Sequence, residues 1–225
     1  MPRRPAIAFV VAVCVFSTPI GRAARGDDTP PSVSIEKGDF AGLDVIIALD
    51  TSDSTAAPSG ADLDGDGKTG VPPSDETTLQ SILRQLLPRA ESDPEDSILA
   101  AEVAGVRQLL QHLDPRTTRV GIVRFSGDDD PHTPDAYTEV PLTADYRKVE
   151  DGLEVLLWRG PLGLTNMVAG VNLATIELLG SKSASSTERE GAERVIMFLS
   201  DGLPTLPLEN QHPQNAKLAI EQAAR

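Results

Sequence analysis

Cysteine is almost missing: Cys14 is the only one in 225 residues. That excludes an internal disulfide, a cysteine-based zinc site and thiol chemistry elsewhere in the chain. Basic residues are scarce beside acids. Lys and Arg number 20 against 34 Asp and Glu, a formal charge of -14. So acidic a chain excludes nucleic acid held by a generic basic surface and points instead to cations or basic groups. The few histidines, His112, His132 and His212, are scattered without ligand spacing and read as surface residues. Aromatics are only 4% of the chain, and Trp158 and its companions read as packing residues. No phosphate loop and no Ser-His-Asp arrangement is present. What remains, 40% hydrophobic and 24% charged, is the balance of a folded soluble domain rather than a disordered one.

Long apolar runs are also lacking, except near the start. Arg3 and Arg4 precede an apolar stretch, Ala6 to Ile20, broken only by Ser17, Thr18 and Pro19; small residues follow at Gly21, Ala23 and Ala24. This three-part pattern reads as a secretory signal peptide over residues 1–24, with a linker over 25–40. The run is short for a membrane span, so membrane contact is expected only through this segment if it stays uncleaved. Cleavage removes Arg3, Arg4 and Arg22 and no acid. The expected location is secreted or periplasmic, in the cell envelope, where a chain without disulfides still suits an oxidising compartment.

From residue 41 onward, strand and helix signals alternate. Leu43 to Leu49 is an apolar, β-branched run that ends at Asp50, as expected of a strand buried on both faces. Arg119 to Phe125 and Arg194 to Leu199 repeat the pattern, and Tyr137 to Leu142 reads as a short edge strand. Leu99, Val103, Val106, Leu110 and Leu113 recur at helical spacing over 97–113. Shorter helices are expected over 78–87, 149–158, 166–179 and 216–225, and Ser181 to Glu193 reads as polar and exposed. Strands alternating with helices imply an α/β fold, a doubly wound and mainly parallel sheet covered on both faces.

Oxygen-bearing side chains gather in three separated segments. Asp50-Thr51-Ser52-Asp53-Ser54 directly follows the first buried strand. Alternate residues of an extended turn point the same way, so Asp50, Ser52 and Ser54 can face one point. Gly163-Leu164-Thr165-Asn166 opens a helix, and Ser200-Asp201-Gly202 again follows a buried strand. Such residues, taken singly, are ordinary helix caps and turn formers. Together they put two carboxylates and three hydroxyls at the carboxyl ends of parallel strands, where open α/β sheets bind ligands. An all-oxygen set suits a hard cation that keeps some of its waters, Mg2+ above all.

These three segments, in this order, resemble the metal-ion-dependent adhesion site of the von Willebrand factor type A domain, over residues 41–225. The resemblance implies that Ser52, Ser54 and Thr165 contact the metal directly, while Asp50 and Asp201 act through bound waters. It also implies Mg2+ (or Mn2+) as the ion and a protein ligand whose acidic residue completes the coordination. The chain departs from the family pattern twice. An insertion over 55–95 separates the first motif from its helix and contains Asp62-Leu63-Asp64-Gly65-Asp66-Gly67-Lys68. This resembles a calcium loop of the EF-hand or dockerin kind. Asp62, Asp64 and Asp66 stand at ligand positions, Lys68 offers its carbonyl, and Pro73 stands where the closing acid belongs. A solvated acidic turn is the alternative. The second departure is at the end, where only 26 residues follow Leu199 and none reads as a further strand. The domain is therefore expected to be incomplete at its C-terminus, with the strand at 194–199 an uncovered edge.

The sequence thus supports an exported, metal-dependent binding module without catalysis of its own. Two other readings stay open: a calcium-stabilised envelope scaffold that captures no ligand, and a metal-assisted hydrolase with Asp50 or Asp201 as base, for which no His or Lys lies nearby in sequence.

Overall fold

The computed structural model describes residues 7–13, 41–67, 94–128, 130–202 and 204–206. The strands are β1 (Ile7–Val13), β2 (Leu43–Asp50), β3 (Thr118–Phe125), β4 (Ala136–Thr143) and β5 (Glu193–Ser200). The helices are α1 (Ile98–Leu110), α2 (Tyr146–Arg159) and α3 (Met167–Leu179). One sheet runs in the order β1-β5-β2-β3-β4. All pairings are parallel except β3 with β4, which is antiparallel. This is the doubly wound α/β arrangement expected.

β2 is the centre because its whole length is apolar enough to be buried on both faces. Successive side chains alternate across the sheet. Val45, Ile47 and Leu49 pack with α1 and α2, whereas Ile46 and Ala48 pack with α3. Each face therefore has its own core, and Phe125 and Phe198 stack at 4.7 Å in the second. Ser97 caps α1 by accepting from the Ala100 amide at 3.1 Å. The apolar stripe of α1, Leu99, Val103, Val106 and Leu110, is the one that its periodicity marks.

Several expectations need correction. The edge of β5 is not uncovered, because β1 pairs along it from Ile7 with Arg194 to Val13 with Ser200. β1 belongs to the apolar stretch read as the heart of a signal peptide; its β-branched character lets it extend an apolar edge. Residues 181–193 are not simply exposed. The Glu177 carboxylate accepts from the amides of Ser185 and Ser186, at 2.9 and 2.8 Å, and buries Ser186. Arg189 reaches back to the buried carboxylate of Asp44 at 2.7 Å, and Arg119 holds the same group at 2.6 Å. Trp158 does not pack in a core: it is 86% exposed on the last turn of α2.

The insertion is pinched at its base. The Ile98 amide donates to the Ala57 carbonyl and the Ser59 amide to the Asp96 carbonyl, each at 2.8 Å, and Pro58 bridges Ser97. The helix expected over 78–87 and the end helix over 216–225 lie outside the described residues. No helix among the described residues is long and apolar enough to cross a membrane.

Candidate metal centre

The topology directs the three motif segments to one rim. β2 and β5 are neighbours. The chain leaves β2 toward β3 on one side and returns to β5 on the other. Their carboxyl ends form the switch point at which open sheets bind ligands. Asp50 is the last residue of β2, and Asp201 follows the last residue of β5.

Hydrogen bonds tie the first segment to each of the other two. Ser54 Oγ donates to Asp201 Oδ1 at 3.0 Å, and the Oγ atoms of Ser52 and Ser54 lie 3.0 Å apart. Asp50 accepts from the Ser52 amide at 2.9 Å and from the Ser200 hydroxyl at 2.6 Å. The Asp53 amide donates to the Gly163 carbonyl, and the Leu162 amide to the Thr51 carbonyl, both at 2.8 Å. Past Asp201 the chain folds back on Thr165. The Thr165 amide donates to Thr205 Oγ1, and its carbonyl accepts from the Thr205 and Leu206 amides. Thr165 is buried in this network, and its hydroxyl has no hydrogen-bond partner among the described residues. It does not itself cap α3: Asn166 does, accepting from the Ala169 amide at 3.1 Å.

Gly163 makes this closure feasible. Its φ is +90°, and a Cβ placed there would lie 2.4 Å from the carbonyl oxygen of Gly127. Only glycine allows both that backbone and that approach.

The electrostatics are those of a site short of positive charge. Burial pushes the Asp50 carboxyl above its usual value, against the lowering effect of its bonds from Ser200 and Ser52; Asp201 adds to the rise. A third carboxyl, which the motifs did not mark, lies inside. Glu102 projects from α1 with 4% exposure, and neither of its oxygens has a hydrogen-bond partner among the described residues. Burial, then the charges of Asp50 and Asp201, raise it to about 9, so it is a neutral acid at pH 7. Its signal was in the sequence: Glu102 sits within the apolar stripe, three residues after Leu99 and four before Val106. An acid at such a position is dry, and a dry acid needs a reason. Ser200, too, had gone unmarked as the residue that orients Asp50.

The residues fit a hard cation by donor chemistry. Asp50, Ser52, Ser54 and Asp201 offer only oxygen, and the dry carboxyl of Asp50 gains from a positive neighbour. The insertion is separate. The Asp62, Asp64 and Asp66 carboxylates each offer an oxygen within 4.8 Å of the others, all exposed. The Asp62 carboxylate already accepts from the Gly65 and Gly67 amides of its own turn, and that of Asp64 from the Asp66 amide. Lys68 and Pro73 lie outside the described residues.

An open, mainly parallel sheet flanked by helices, with an oxygen-lined switch point, defines a class of α/β domains. The family model described as the von Willebrand factor type A domain matches residues 45–203, and the chain belongs to that family. No curated protein matches the chain. Among solved structures, the conserved hypothetical protein BatB from Bacteroides thetaiotaomicron is 26% identical, with a TM-score of 0.47, over 81% of this chain and 63% of that one. An aerotolerance-related membrane protein from Bacteroides fragilis is 23% identical, with a TM-score of 0.42, over 70% and 53%. The pilus adhesin SpaC from Lactobacillus rhamnosus GG is 15% identical, with a TM-score of 0.45, over 76% and 16%. The chain thus spans less than two thirds of the length of each of these relatives.

Proposed function

We propose that this chain is an exported binding module that captures a protein partner through a divalent cation, Mg2+ or Mn2+, held at the rim. One observation carries the reading: Ser52, Ser54 and Asp201 form a hydrogen-bonded run beside the dry carboxyl of Asp50, although Ser54 and Asp201 are 147 positions apart. Capping explains any of these residues alone; it does not explain their convergence.

In this reading Ser52, Ser54 and Thr165 would hold the ion, and Asp50 and Asp201 would act through bound water. A bound ion would supply Lewis acidity toward an incoming carboxylate. Neutral hydroxyls leave its charge largely unquenched. The Ser200 hydroxyl and the Ser52 amide hold Asp50 in place, so its carboxylate orients the site without turning toward the partner. Catalysis is not part of the proposal. Export would be directed by residues 1–24; these contain β1, so their cleavage would reopen the edge of β5, and the acidic partner would reach the rim outside the cytoplasm.

The test is capture of partners from envelope extract with Mg2+, with EDTA, and with Asp50→Ala. The reading expects EDTA and Asp50→Ala each to abolish capture. Capture that survives both would remove the metal mechanism. A scaffold role would instead show Asp50→Ala lowering stability while capture is absent throughout.

A further inference from the structure

We propose that the same rim carries a second, anion-holding subsite built by Arg124 and Arg159, and that the partner presents two carboxylates, one to the cation and one to this pair. The inference rests on the cation reading for the first carboxylate; the second contact is carried by its own geometry.

Arg124 lies one residue from the end of β3, and Arg159 is the last residue of α2. Both guanidiniums turn to a single oxygen, Glu139 Oε2 on β4, at 3.3 and 2.8 Å. Among the described residues Arg124 donates only through Nε, and Arg159 only through one terminal nitrogen. A guanidinium has five N–H donors, so most of this fork is unspent. Both side chains line a cavity of about 280 Å3, together with Thr51, Tyr137 and Gly163. Thr51 stands between Asp50 and Ser52, and Gly163 two residues before Thr165. The cavity therefore opens off two of the loops that build the metal centre.

The charge is out of balance. In a chain of net charge -14, two guanidiniums share one carboxylate. Burial and the neighbouring Arg159 charge push Arg124 below its usual value, against the pull of Glu139. A second anion would relieve that. Asp128 also lines the cavity; its Oδ1 accepts from the Thr133 hydroxyl and the Asp130 amide of its own turn, which holds that carboxylate in place. The Arg124 guanidinium carbon lies over the Tyr137 ring, 4.1 Å from its centre, which limits where the fork can point before anything binds. A planar, pre-oriented guanidinium matches the two oxygens of a carboxylate.

The surroundings fit a peptide rather than a free ion. Leu162, which lines the cavity, and Trp158, on the last turn of α2 next to Arg159 in sequence, are the two most exposed large hydrophobics among the described residues, at 73% and 86%. Exposed aromatic and aliphatic side chains beside a charged anchor are the ordinary composition of a protein-binding surface. The occupant is thus an acidic peptide segment with apolar neighbours.

The probes are short blocked peptides with one glutamate, and with two glutamates separated by glycine spacers of increasing length. Calorimetry in Mg2+ is expected to find one spacer at which the two-acid peptide binds about tenfold more tightly than the one-acid peptide, the worth of one charged hydrogen-bonded contact. Arg159→Gln, a partly exposed position, is expected to remove that advantage while its own Mg2+ titration stays unchanged. Arg124→Gln should do the same if it folds. Equal affinities at every spacer, in a protein that binds Mg2+ and the one-acid peptide, would overturn the subsite and leave the cation reading standing. An advantage that survives Arg159→Gln would overturn it too. Failure to bind Mg2+ at all would instead sink the cation reading.

Discussion

Ser54 donates its hydroxyl to Asp201 at 3.0 Å, joining the turn after β2 to the turn after β5. The bond spans the switch point of the sheet. Neither residue has a structural need for the other: Ser54 is exposed and Asp201 only half-buried. Their meeting is best understood through what they would hold together.

Removing that hydroxyl should therefore weaken cation binding and little else. Ser54→Ala is expected to lower Mg2+ affinity about 10- to 100-fold, the usual effect of losing a group that holds or orients a metal ligand. Calorimetric Mg2+ titration checks affinity, and thermal melting in EDTA checks that the fold is unharmed.

Glu102 makes stability fall as pH rises. Its carboxyl titrates near 4.5 in the unfolded chain and at about 9 in the fold. Between those values the folded state keeps a proton that the unfolded state has lost. Stability therefore declines by up to about 1.4 kcal/mol per pH unit across that window. Its full contribution is present only below the lower value. Glu102→Gln keeps the shape without the titration and should flatten this slope between pH 5 and pH 8 in urea unfolding. An unchanged slope would assign the group to water.

At Gly163 a methyl group meets both a positive φ and the Gly127 carbonyl. Gly163→Ala should destabilise the protein by about 1–3 kcal/mol and displace Thr165, so that Mg2+ binding falls with it. Gly105 makes the contrast. It is an exposed residue inside α1 with nothing within 4 Å of an added Cβ. Gly105→Ala should raise stability by about 0.5–1 kcal/mol. Denaturant midpoints of the two variants should move in opposite directions.

Asp44 anchors the opposite end of β2. It is wholly buried, and it binds Arg119 through two hydrogen bonds, at 2.9 and 2.6 Å, and Arg189 through one. Asp44→Ala leaves those guanidiniums without their carboxylate and should cost about 3–5 kcal/mol. Mg2+ binding by whatever remains folded should be unaffected, since the rim lies at the other end of the strand.

The sheet was legible because its central strands carry unbroken apolar runs, Val45 to Leu49 in β2 and Val120 to Val123 in β3. Leu43 to Leu49 leaves no room for another reading, and Leu99, Val103, Val106 and Leu110 of the expected stripe are all buried in α1, where Ile98, Ala100 and Glu102 join them. The rim was legible because hydroxyls and acids directly after two such strands must emerge together. Other features depend on distant partners. That Ser181 to Glu193 is anchored follows from Glu177 and Asp44, which nothing local announces. The exposure of Trp158 follows from where α2 ends, and hydropathy alone places such a ring inside. The pairing of β1 with β5 is a long-range event of the same kind. Glu102 is readable only as a break in the apolar pattern of α1, and nothing local tells it apart from the chain's many solvated acids.

The stem at Pro58 and Ser97 has a consequence for how the domain tolerates change. Because both ends of the insertion are clamped to each other, its interior can lengthen, shorten or be exchanged for another module without tugging on Ser52 or Ser54. Lengthening a closed loop carries a small entropic penalty, about 0.6 kcal/mol for each doubling. A graft at this stem would hang close to the mouth of the binding rim while leaving the rim's own scaffold alone.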